Sequence, residues 1–460
     1  MPASTVRRQS WICLLAIIAC CAATLPFARD AAAAESALSP SAAPSPMSNP
    51  ALAAASGLRP GDVINSANAN KVKALVSPGN YILVKQGMEM DIVPTGALQW
   101  PPPYKSATEK YSPQVSLTSG GSLTNYTAGL PFPLLDPNDP QVALKIMWNF
   151  SFRPQYNDDV DARYTQVGTY TASSHGSPAA HFAIGHFGFY NNVGRIEVEP
   201  FPTDPDFKAS GIRYRFAVYP FLEPSSMLGF GLVRYRYMDP KMEDNVWFYL
   251  PSRRKLRRMA AYSLSDVLGD VGGASPYFST IDPDSYFGFA AKIEDFNYKL
   301  LGEKQMLACV HAKNSPEHNC PNDSGRTVCP ENWELRHLYI VQADAKNGLN
   351  TIPHRIFYID SEGWFITAAD QYDRDGKLWK TIATFNTYRD RPVPGARVAI
   401  FPYKRMFQLA LVDEDVQTGN SSIIFMPEAN SPVPECWYID EGTVTNAFFM
   451  AQAMGRAIMH

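Results

Sequence analysis

The densest grouping of chemistry-bearing side chains is Trp247-Phe248-Tyr249-Leu250-Pro251-Ser252-Arg253-Arg254-Lys255-Leu256-Arg257-Arg258, an aromatic run that leads into five basic residues within six positions. On a strand, alternation puts Val246, Phe248 and Leu250 on one side and Trp247 and Tyr249 on the other. We expect one side to pack against neighbouring strands and the other to look into a cavity; alternation fixes the separation but not which side is which. Arg253, Arg254, Arg257 and Arg258 would then form a basic rim at the mouth of the cavity or on the adjacent edge, suited to an amphiphile with an acidic head group. The structural alternative is a solvated edge strand whose charges deter aggregation.

Other groupings carry less. His181 and His186 are five apart, so a strand would put them on opposite faces, a poor arrangement for a metal. Cys309-Val310-His311 and His318-Asn319-Cys320, with Cys329 nearby, offer zinc-type ligands, but oxidised cysteines do not ligate zinc. Asp373-Arg374-Asp375-Gly376 opens like a calcium loop and lacks the later ligands. There is no G-x-S-x-G elbow, H-E-x-x-H helix or Walker loop. No catalytic group, metal site or cofactor is therefore predicted.

The elements that must position these residues start after an export signal. Arg7 and Arg8, the apolar stretch Trp11–Ala28 and the small residues Ala31–Ala34 follow the plan of a cleaved signal peptide over residues 1–34. Ile17-Ile18-Ala19-Cys20 fits a lipobox loosely, but the apolar stretch runs on past Cys20. The whole chain has 41 basic and 44 acidic residues, and losing Arg7, Arg8, Arg29 and Asp30 leaves an excess of five negative charges. That balance argues against nucleic-acid binding. Residues 35–56, rich in Ala, Ser and Pro, read as a flexible linker, and residues 57–460 as one β-rich domain. Cys309, Cys320, Cys329 and Cys436 survive cleavage and suggest two disulfides in an exported chain. The short spacing favours Cys320 with Cys329, leaving Cys309 for Cys436.

Gly61–Val76 reads as a short helix ended by Pro78-Gly79-Asn80. Beyond it strands dominate, at 211–219, 232–238, 246–250, 255–259, 333–344, 355–360, 363–371, 378–388 and 408–413, with Asp375-Gly376 as a hairpin turn. In the first, Ile212, Tyr214, Phe216 and Val218 oppose two arginines; in the second, Val233, Tyr235 and Tyr237 oppose Arg234 and Arg236. Consecutive strands without helical crossovers mean antiparallel pairing and exclude an alternating α/β enzyme fold.

Trp247-Phe248-Tyr249-Leu250-Pro251…Arg257-Arg258, Asp284-Ser285-Tyr286-Phe287-Gly288-Phe289 and Glu294-Asp295 together resemble the signature of outer-membrane lipoprotein-sorting-like proteins of Gram-negative bacteria. Asn125–Pro133, Trp148-Asn149, His354–Asp360 and Asp370–Asp373 resemble one branch of that group, the domain of unknown function 1329 family. The group is similar to the periplasmic lipoprotein carriers of the Lol system. The resemblance implies a β-rich α+β fold: a large curled antiparallel sheet forming an open half-barrel around helices, with an apolar cavity for acyl chains. It implies a periplasmic, non-catalytic binding protein or carrier for lipid, lipoprotein or other hydrophobic cargo, with Trp247, Phe248, Tyr249, Leu250, Phe287 and Phe289 as cargo contacts. It also implies association with the outer membrane or with RND-type exporters, so the alternative role is a structural or regulatory partner of such a complex. The four cysteines are a departure, since the signature does not require them.

Overall fold

The computed structural model describes residues 57–155, 158–171, 180–223, 225–251, 254–259, 280, 285–313, 320–346, 352–395, 397–427, 435–442 and 444–454. The predicted signal peptide (1–34), the linker (35–56) and Arg253 lie outside the described residues.

Eighteen strands are seen among these residues. They are β1 (Val63–Ile64), β2 (Met90–Ile92), β3 (Ser116–Leu117), β4 (Leu123–Thr124), β5 (Asp159–Tyr170), β6 (Ala180–Asn191), β7 (Ile212–Val218), β8 (Gly231–Tyr237), β9 (Asn245–Leu250), β10 (Lys255–Met259), β11 (Phe296–Ala308), β12 (Glu331–Ala345), β13 (His354–Asp360), β14 (Ile366–Tyr372), β15 (Leu378–Arg389), β16 (Arg405–Asp415), β17 (Asn420–Phe425) and β18 (Trp437–Ile439). The α-helices are α1 (Pro78–Gln86), α2 (Pro102–Tyr111), α3 (Val142–Ser151) and α4 (Pro205–Ser210).

Sixteen strands form one open sheet in the order β1-β2-β12-β13-β14-β15-β16-β17-β5-β6-β7-β8-β9-β10, with β11 also on β12 and β18 on β5. All its pairings are antiparallel except β2 with β12. The predicted hairpin joins β14 to β15. The Asp373 carboxylate accepts from the backbone N–H groups of Asp375 at 3.0 Å and Lys377 at 2.9 Å, and Gly376 takes φ +75°, a left-handed position that glycine fills without strain.

Alternation supplies both faces of this sheet. In β16, Phe407 and Leu411 join the main core with α3, while Ala410 and Val412 meet a second cluster built from Leu58, Ile64, Val72, Leu83, Val84 and Met88 near the N-terminus. Over β7 to β9 the second face (Ala217, Tyr219, Val233) is covered by Val444, Phe449, Ala451 and Met454. Helix α3, sequence VALKIMWNFS, buries seven of its ten residues, as a helix that is apolar nearly all round must.

Two expectations are corrected. The Gly61–Val76 segment is not a continuous helix: it holds β1 and a 3₁₀ turn at Ala69–Val72. Pro78 starts α1 instead of ending a helix, because Ser77 caps the N-terminus by accepting from the Asn80 N–H at 3.0 Å, and proline suits the first helical turn. Cys320 and Cys329 form a disulfide, but the pairing of Cys309 with Cys436 is not made. The Cys309 carbonyl accepts from Asn386 and its side chain joins the N-terminal cluster, whereas the Cys436 carbonyl accepts from Arg163 and its side chain joins the main core.

Candidate functional site

The structure holds a cavity of about 100 Å³. That volume is below the usual range of small-molecule sites, ~300–1,000 Å³. The cavity is built by the end of α3 with the following residues (Phe150, Ser151, Phe152, Arg153), the end of β6 and the residues after it (Phe189, Asn191, Val193, Gly194), the paired strands β7 and β8 (Arg213, Tyr214, Arg236), the turn at Phe287–Ile293, and Tyr104 and Tyr126.

Local backbone features aim these side chains. A bulge between Ile212 and Tyr214 breaks the β7–β8 register, which re-aims a side chain that regular alternation would send to the other face. Arg213 and its neighbour Tyr214 both line the cavity as a result. In the turn, Phe287 has φ +56° and Gly288 φ +90°. A Cβ on Gly288 would lie 2.6 Å from the Ile366 side chain, so only glycine fits there. This turn sets Phe287 and Phe289 on the cavity wall, where the Phe189 ring lies 5.5 Å from that of Phe287.

The polar groups are mostly guanidinium groups. Arg213 Nη2 donates to the Ser151 carbonyl at 2.9 Å and hydroxyl at 2.8 Å, at the negative end of the α3 dipole. Its carbon sits 3.9 Å from the Phe152 ring centroid. Burial pulls the Arg213 guanidinium below its ordinary value; Tyr214 opposes this, and the charge on Arg236 adds to it. Arg236 shares one carboxylate with Arg234: Nε of each lies 2.7–2.8 Å from an Asp244 oxygen. Both arginines hold the Asp244 carboxyl below its usual range against the opposing, larger effect of burial. Arg236 Nη2 also donates to the Ala290 carbonyl at 3.0 Å. Tyr104 and Tyr126 hydroxyls donate to the Phe152 and Gly129 carbonyls, and burial drives both phenols up. Among the described residues, the lining contains no Asp, Glu, His, Cys or Lys.

The predicted site residues divide between this cavity and other places. Phe287 and Phe289 line it; Trp247, Phe248, Tyr249 and Leu250 do not. Phe248 is 1 % exposed in the main core, 5.9 Å from the Phe230 ring, and Leu250 packs against the same core. Trp247 and Tyr249 face the other way, into the cluster covered by the C-terminal segment. Alternation separated the two faces correctly, but the sheet is packed on both, so neither is left open. Arg254, Arg257 and Arg258 are exposed beside or on β10, which ends the strand order; the Arg258 guanidinium lies 5.9 Å from the Trp247 ring. Sequence reasoning missed Arg213 and Arg236. The available signal was their position opposite aromatic residues on consecutive strands, close in sequence to Asp244.

The sequence matches the family described as "Protein of unknown function (DUF1329)" over residues 63–435. The chain belongs to this family. A relative in Pseudomonas aeruginosa, uncharacterized protein PA3922, is 24% identical over 348 residues, covering 72% of this chain and 70% of its own. Among solved structures, a Vibrio parahaemolyticus domain described as an outer membrane lipoprotein-sorting protein aligns with a TM-score of 0.44 at 13% identity, covering 68% of this chain and 98% of its own. A DUF1329 protein of Desulfovibrio piger gives 0.39 at 14% identity, covering 65% and 92%. The LolA superfamily protein NE2245 of Nitrosomonas europaea gives 0.34 at 12%, covering 67% and 97%. Among the described residues, no helix is long and apolar enough to cross a membrane.

Proposed function

We propose that this DUF1329 protein is a non-catalytic binding protein or carrier for a hydrophobic molecule (lipid, acylated protein or similar cargo) in the Gram-negative cell envelope. The proposal includes export by the N-terminal signal and a sheet curled as a half-barrel around α3. The observation that carries it is the cavity, whose walls are mainly aromatic (Phe150, Phe152, Phe189, Phe287 and Phe289) and, among the described residues, hold no carboxylate, imidazole or thiol. Burial of apolar surface supplies affinity here without covalent chemistry, at about 0.8 kcal/mol per methylene.

The test uses the neutral dye N-phenyl-1-naphthylamine, whose fluorescence rises in apolar sites. Titration into the protein should give saturable enhancement, and Ala290→Phe, which fills the cavity, should reduce it severalfold with the fold intact by circular dichroism. Enhancement that is unchanged in Ala290→Phe would remove the cavity from the reading.

The exposed Arg254, Lys255, Arg257 and Arg258 at the edge of the sheet favour a second role beside the first, in which β10 meets an anionic membrane surface or a partner such as an RND-type exporter.

A further inference from the structure

The charge pattern of the cavity is more specific than its shape. Among the described residues, three guanidinium groups (Arg153, Arg213, Arg236) line it and no carboxylate does. Arg236 is answered by Asp244, which also serves Arg234. Arg213, 8 % exposed, has no ion pair to any described carboxylate. Glu294 acts on it only from beyond ion-pairing distance. A buried charge left without a counterion is strongly unfavourable.

Arg213 is also incompletely used. Its two hydrogen bonds both leave from Nη2, toward Ser151, so Nε and Nη1 donate to nothing among the described residues. The Tyr214 hydroxyl likewise has no partner there. The Tyr214 ring lies 5.5 Å from the Arg213 guanidinium carbon and 5.7 Å from that of Arg236, so both cations and this hydroxyl border the same small space. A guanidinium with two donors unspent presents the fork that matches a carboxylate or phosphate.

We propose that the cavity recognises the acidic head group of an amphiphile, a carboxylate or phosphate monoester, which Arg213 binds and Tyr214 assists, while Phe189, Phe287 and Phe289 cover the adjoining methylenes. The cavity, about 100 Å³, accommodates a head group and the first part of a tail, and the remaining chain extends out of it. This inference rests on the reading of the cavity as a ligand site and names the chemistry it selects.

The experiment compares palmitate, hexadecyl phosphate and hexadecanol by isothermal titration calorimetry with the full chain from Glu35 onward, and adds inorganic phosphate as a tail-less control. Palmitate or hexadecyl phosphate should bind about tenfold or more tightly than hexadecanol. The acid that binds more tightly identifies the head group. Arg213→Gln should reduce that preference to about twofold while retaining hexadecanol binding; Arg213→Lys should restore part of it. The comparison within the wild type decides the matter even if a variant does not fold. Equal binding of acid and alcohol overturns the head-group inference but leaves a hydrophobic-cargo site intact. Inorganic phosphate binding as tightly as hexadecyl phosphate overturns the amphiphile in favour of a free-anion site. Binding of none of the three overturns both readings.

Discussion

Asp159→Asn should make the protein more stable at neutral pH, although it removes a charge beside an arginine. Asp159 is 1 % exposed, and neither carboxylate oxygen has a hydrogen-bond partner among the described residues. Arg195 Nη2 lies 3.6 Å away, too far for a good hydrogen bond, and donates to the Val198 carbonyl at 3.2 Å instead. Burial, then the neighbouring Asp440 carboxylate, push the Asp159 carboxyl from its ordinary 3.8 up to about 7, against the opposing charge of Arg195. Because the folded-state value is raised, the stabilisation is complete below about pH 4 and is lost as pH rises to 7, where the unfolded chain has already released this proton. At ~1.4 kcal/mol per pH unit, the full loss is about 4 kcal/mol. Asparagine keeps the shape and cannot ionise, and Arg195 keeps its four carbonyl acceptors. Urea unfolding at pH 4.5 and pH 8 should therefore show the variant gaining about 3 kcal/mol on the wild type between the two conditions. A variant destabilised equally at both pH values would mean that Asp159 is ionised in the fold and held there by Arg195, and the reasoning would be refuted.

Phe248→Ala should destabilise by about 3–5 kcal/mol as a core cavity, and Trp247→Ala by less, because Trp247 is only half-buried against Tyr235; the reverse order in urea unfolding would exchange the two faces of β9. Cys320→Ala opens the Cys320–Cys329 bridge, with its sequence separation of 9, and should lower stability by roughly 2.5–3 kcal/mol in the chain-entropy model; an unchanged urea midpoint under oxidising conditions would show that the bridge is not formed. Arg257→Glu, on the exposed β10, should leave the unfolding free energy within about 0.5 kcal/mol of wild type while weakening sedimentation with anionic vesicles; sedimentation equal to wild type, or equal with neutral vesicles, would remove β10 from membrane contact.

The later strands were legible because their alternation is strong and turn residues bound them: β9, β10, β13 and β15 fall within a residue or so of their expected limits. β11 escaped because Lys299, Glu303 and Lys304 interrupt its pattern. They sit on a strand whose middle is only half covered, with burial alternating from Phe296 through Leu300. α3 escaped because its apolar run lacks the polar face by which a helix is recognised, a consequence of its place inside the core. Pro78 fits the end of one helix as well as the start of another, because proline is compatible with either; only the Ser77 cap decides which.

The site escaped for a different reason. Alternating arginine and aromatic residues in β7 and β8 read as a wet face and a dry face, since arginine is rarely buried. That rule fails where an adjacent element supplies the missing acceptors: Asp244 for Arg234 and Arg236, and the end of α3 for Arg213. Neither acceptor follows from local sequence. Asp244 lies in the turn before β9 and works only once β8 and β9 have paired, while Ser151 is brought to β7 across sixty-two positions of chain. The conspicuous Arg254–Arg258 run, by contrast, was visible because it stays in water. A buried arginine must find an acceptor in the fold or in a ligand. Arg213 has an acceptor for only part of its guanidinium, which is why the cavity between α3, β7 and the Phe287 turn, and not the basic edge, is where an acidic head group should be sought.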